Sequence, residues 1–72
     1  MKAKHRYNVT APDGKERIFL ATSAPGALRV LCRLRNWSLR EIRDTANGWA
    51  DGEVYSRESG FLVGTAEAYR LA

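Results

Sequence analysis

The chain has 72 residues, one cysteine and a formal net charge of +4. A single domain of this length buries only ~60% of the surface its unfolded form exposes, so its margin of stability is thin. Cys32 alone excludes an intrachain disulfide, no paired Cys/His spacing suits zinc, and the basic start MKAKHR leads into no apolar run. No signal peptide, membrane span, metal or cofactor is therefore expected, and the expected setting is cytoplasmic and reducing.

RYNVTA, residues 6–11, alternates Tyr7, Val9 and Ala11 with Arg6, Asn8 and Thr10, the period of a half-buried strand. Pro12-Asp13-Gly14 supplies a turn, since proline presets φ and glycine accepts a positive one. ERIFLAT, residues 16–22, is a second and more apolar strand, which completes a hairpin. Ser23 then caps a helix with Pro25 in its first turn; Gly26 stands where a capping box would place Glu or Gln. At 100° per residue Ala27, Val30, Leu31, Leu34 and Trp37 gather on one face. Arg29, Arg33 and Asn36 lie opposite, Leu28 and Arg35 take a flank, and Cys32 falls towards the polar side.

SLREIRDTANGW supports two assignments. Ser38-x-x-Glu41 with Leu39 and Ile42 fits a second, capped helix. Asn47-Gly48, set between IRDT and WADGEVY, is a strong hairpin signal and favours strand, turn, strand. GEVYS, a turn near Glu58-Ser59-Gly60 and FLVG continue a meander, and TAEAYRLA is either a helical turn or a last strand. The expected fold is α+β: a single antiparallel sheet with one helix on one face, in the order ββαββ(β). Its other face and its edges stay open to contact.

Charge is polarised along the chain. Residues 1–43 carry ten Lys/Arg against three acids, and residues 44–72 carry two against five. A basic N-terminal part attracts phosphates or acidic protein surfaces. Arg29 and Arg33, four apart, are neighbours on a helix, with Arg35 on the flank; Lys2, Lys4 and Arg6 add to them if the first strand lies nearby. The competing reading is that these arginines solvate the back of an amphipathic helix. The scarcity of acids favours a binding role. Trp37 continues the core face, whereas Trp49 follows a turn and is either a core aromatic or an anchor on which a partner or a base stacks.

Catalytic groups are scarce. His5, the only histidine, sits near the N-terminal end with no oriented partner; Cys32 has no base to activate it; Glu41 and Asp44 interleave with Arg40 and Arg43, a pattern of surface ion pairs. No catalytic residue is assigned, and the protein is not expected to be an enzyme. Two motif look-alikes fail. SGFLVGTA has Val63 where an RNA-recognition strand needs an aromatic, and LCRLRNWSLREI misses the turn spacing of a helix-turn-helix at Arg35 or Asn36.

The run YNVTAPDGKERIFLATSAPGALRVL, residues 7–31, with IRDTANGW, residues 42–49, makes a hairpin, an alanine-started helix and an Asn-Gly meander. At the level of topology this resembles small phage and mobile-element proteins, among them anti-CRISPR inhibitors with ββαββ-type sheets, over most of the chain. The resemblance implies a non-catalytic protein that occupies a surface on a nucleic-acid-handling complex. It carries over no functional residue, and the basic charge departs from the acidic DNA mimicry of many anti-CRISPRs. The leading expectation is therefore a small inhibitor or adaptor docking on a protein or nucleoprotein complex through a basic surface. The alternative is a regulator, winged or helix-turn-helix-like, that binds DNA or RNA directly. In either case the expected binding residues are Arg29, Arg33, Arg35, Arg40, Arg43, Trp49, Lys4 and Arg6. A homodimer through exposed strand edges is a third expectation, motivated by the thin core.

Overall fold

The alternating first segment forms the strand its pattern predicts. In the computed structural model, which describes residues 3–45 and 47–71, β1 spans His5–Thr10 and β2 spans Glu16–Ala21. They pair antiparallel with Tyr7 opposite Phe19 and Val9 opposite Arg17. The turn between them closes on two backbone bonds, Ala11 N–H to Lys15 O at 2.8 Å and Gly14 N–H to Ala11 O at 2.9 Å, with Gly14 at φ 86°. Lys2, part of the expected basic patch, lies outside the described residues.

Helix α1 spans Ala24–Arg35. Ser23 caps it as expected: its backbone is extended and its Oγ accepts the Gly26 N–H at 3.1 Å. Asn36 ends the helix in the left-handed conformation, where its N–H donates to the Arg33 carbonyl. Trp37 consequently belongs to the next strand, not to the helix.

Strand β3 is Trp37–Asp44 and β4 is Trp49–Ser56, so strand, turn, strand is the correct assignment for residues 38–56. The capped helix at Ser38–Glu41 does not form; the Ser38 hydroxyl instead donates across the ladder to the Tyr55 carbonyl at 3.4 Å. The Asn47-Gly48 turn brings Thr45 N–H to Trp49 O at 3.0 Å, with Gly48 at φ 80°; Ala46 lies outside the described residues. Strand β5, Leu62–Arg70, unites the FLVG strand with most of TAEAYRLA, which is strand and not helix.

The five strands form one antiparallel sheet in the order β2-β1-β5-β4-β3. The last strand thus inserts between the N-terminal hairpin and the meander, with Ala68 opposite both Val9 and Ala50. With α1 packed on one face, the α+β architecture is as expected. Ala50, Ala66 and Ala68 floor the centre of the sheet and let the helix settle close, while Tyr7, Val9, Val54, Leu28 and Leu31 supply bulk. Gly64, at φ 152°, makes room for the first hairpin's turn on β5: a Cβ there would lie 2.7 Å from Pro12 Cβ. Among the described residues no helix is long and apolar enough to cross a membrane.

The helix sits in a different rotational setting from the one its sequence predicts. Ala24, Pro25, Ala27, Leu28, Leu31 and Cys32 are buried, Val30 is half-buried, and Leu34 is 62% exposed. The expected face counted Trp37 as helical, which pulled its centre towards Val30 and Leu34. With the helix stopped at Asn36, the face turns towards Leu28 and Cys32.

A basic cleft between helix and meander

Strand alternation divides the expected binding residues between two faces. On α1, Arg29 and Arg33 are exposed one turn apart. Arg35, in the last turn, lies over the Trp37 ring at 5.4 Å and 4.0 Å from Asp13. Arg33 and Arg35 also complement the negative end of the helix dipole. Arg40 and Arg43 are on β3, where Leu39 faces the helix, so Arg40 points to the opposite, open face; the bulge between Arg40 and Arg43 breaks the alternation and sets Arg43 opposite Asp51 on that same face. Arg40 stacks over Tyr55 at 5.1 Å and Arg43 grips Asp51 through two bonds of 2.9 and 2.6 Å. Arg6 and Trp49 are on the open face too, by alternation with Tyr7 and Ala50; Lys4 is exposed just before β1. The arginines expected to act together therefore do not form one surface.

The two faces differ in electrostatics. The open face carries Arg6, Arg40 and Arg43 together with Glu16, Asp51, Glu53 and Glu67, so charge is near balance there, and Arg43 is consumed in its pair with Asp51. Trp49 lies half-buried opposite Tyr69, whose hydroxyl accepts from Asn8 Nδ2 at 3.3 Å. A phosphate chain finds no net attraction there.

On the helix side a cleft of about 300 Å³ opens between α1 and the start of β3. Arg29 and Arg33 form one wall, Arg57 comes from the turn after β4, and Trp37, Ser38, Leu39 and Cys32 complete the lining. Arg57 is held by its own backbone N–H, which donates to Asn36 O at 3.2 Å, and by its Nε, which donates to Trp37 O at 3.2 Å. Neither bond uses the terminal guanidinium nitrogens. Among the described residues no carboxylate lines this cleft, and no ion pair engages Arg29, Arg33 or Arg57. Burial pushes the Cys32 thiol above its ordinary pKa, and the nearby Arg57 charge offsets only part of that rise. The thiol is therefore a neutral wall of the cleft and not an activated nucleophile.

Arg57 is the residue that sequence reasoning missed. It is an isolated arginine in the acidic half of the chain, and no local pattern marks it. Only the pairing of β3 with β4, Trp37 opposite Ser56, places it beneath the helix C-terminus. Among the described residues no cluster of three His, Cys, Asp or Glu side chains could hold a metal ion. No family model, curated protein or solved structure matches the chain.

Proposed function

We propose that this is a small non-enzymatic docking protein that engages an anionic surface of a nucleic-acid-handling complex through the Arg29–Arg33–Arg57 cleft. One observation carries the reading: three guanidiniums from two separate segments converge on one cleft that no carboxylate lines among the described residues. Arg35 and Arg43, by contrast, stand against the carboxylates of Asp13 and Asp51. The forked donor set of arginine matches phosphate or carboxylate, and the Trp37 indole adds an apolar wall for whatever bears the anion. A role as an inhibitor of phage or mobile-element type, anti-CRISPR-like, agrees with the small ββαβββ fold.

The same cleft supports a second reading, direct contact with DNA or RNA phosphates, since arginine holds phosphates as readily when no partner protein intervenes. Fluorescence anisotropy against a labelled DNA duplex and a single-stranded RNA, over a range of salt, separates the two. Direct contact gives micromolar or tighter binding at low salt, with a log–log slope near −0.9 per duplex phosphate neutralised. The triple variant Arg29→Ala/Arg33→Ala/Arg57→Ala then flattens the slope by up to about three phosphates' worth. Docking on a protein surface leaves both nucleic acids unbound, while tag-controlled pull-down from candidate host complexes recovers a partner that the triple variant loses. If wild type binds neither, or if the triple variant binds as wild type does, the cleft is not the docking site.

A further inference from the structure

The two edges of the sheet are built differently. Edge strand β3 is guarded: it carries Arg40, Glu41, Arg43 and Asp44, and its register with β4 breaks between Arg40 and Arg43, where Glu41 takes φ 54°. Bulges and charges of this kind prevent a further strand from adding. Edge strand β2 has neither device in its centre. It pairs with β1 in unbroken register over all six residues, contains no proline or lysine, and presents Ile18 at 56% and Leu20 at 63% exposure on the open face. A regular, apolar, unpaired edge is a template for another strand.

We infer that β2 is a self-association edge, at which a second copy of this chain pairs antiparallel in a register centred on Phe19. That register gives the most apolar pairing: centred on Leu20 instead, Ile18 meets Thr22 and Phe19 meets Ala21, which leaves one aliphatic pair on the open face in place of two. Phe19 falls opposite Phe19 of the second copy, on the helix side. Ile18 falls opposite Leu20 in both directions, which joins four exposed aliphatic side chains into one strip on the open face. Arg17 meets Ala21 and Glu16 meets Thr22, so no like charges oppose each other. A register centred on Ile18 sets Glu16 against Leu20 and Arg17 against Phe19, and one centred on Arg17 sets that arginine against itself. A two-fold axis perpendicular to the sheet relates antiparallel copies, so both helices lie on the same side of a ten-stranded sheet. The basic clefts, at the β3 side of each copy, stay open.

Sedimentation velocity over roughly 1 µM to 1 mM tests it. The expected result is a shift with concentration from an 8.1 kDa monomer to a species of twice that mass, with no growth beyond it. Ile18→Lys/Leu20→Lys should remove the dimer or raise its midpoint at least about tenfold. Ile18→Thr/Leu20→Thr keeps β-propensity and should weaken the dimer in the same direction, which excludes misfolding as the cause, with circular dichroism checking the fold of each. Ile42→Lys on the guarded edge should leave the midpoint in place. A monomer throughout the range, a dimer indifferent to residues 18 and 20, or an open-ended series of larger species would each overturn the inference.

Discussion

Cys32 illustrates how burial and charge compete at one side chain. Its thiol lines the cleft yet is only 4% exposed, and desolvation outweighs the Arg57 charge. At pH 7.5 it should react with an aromatic disulfide reagent on the order of tenfold or more slowly in native protein than in urea; equal rates would show that the helix does not shield it. Burial also couples this thiol to stability. The folded state favours the neutral form, so the contribution is full below the ordinary thiol pKa and is lost as pH rises through the raised one. Wild type should accordingly lose Tm faster than Cys32→Ala above about pH 9. At the residue scale hydropathy and helical period leave Cys32 and Leu28 outside the core face and Leu34 within it, whereas Cys32 and Leu28 are buried and Leu34 is exposed, because the surface a helix meets is set by the sheet and not by the helix's own sequence.

Among the elements, β3 and β4 show why an exposed arginine can matter to the fold. Asp51 is buried on the sheet and both of its carboxylate oxygens bind Arg43. The same pairing holds the Arg43 guanidinium above its ordinary pKa, chiefly through the hydrogen bond to Asp51. Removing that partner strands a buried carboxylate, whereas removing Arg40, its neighbour on the same strand and face, costs a single ring contact. Thermal melts should therefore show Arg43→Ala well below Arg40→Ala in Tm; equal losses would place Asp51 in contact with water. Element types were largely legible in the sequence. The first hairpin, the Ser23 cap and the Asn47-Gly48 turn each rest on local chemistry that acts within a few residues. The second-helix signal at Ser38–Glu41 was outweighed because left-handed Asn36 starts an extended run that pairs with β4 on both sides of a bulge.

For the molecule as a whole, small side chains form much of the core. Alanines dominate its centre, and Leu28, Val9 and Val54 are the largest side chains buried completely. Leu28→Ala should cost about 2–5 kcal/mol, which in a domain this small approaches its entire stability. Urea denaturation should find the variant mostly unfolded at 37 °C; a loss under about 1 kcal/mol would mean the helix re-seats over the alanine floor. By itself the sequence determined the fold class, the first hairpin, the start of the single helix and the presence of an arginine-rich segment, since these follow from residue period, turn chemistry and charge count. Tertiary structure alone decided the helix rotation, the insertion of β5 between β4 and β1, and the split of the arginines. Strand order and facing depend on which apolar sets can be buried together across the whole chain, and that global condition brought Arg57 to Arg29 and Arg33 while turning Arg40 and Arg43 to the opposite face.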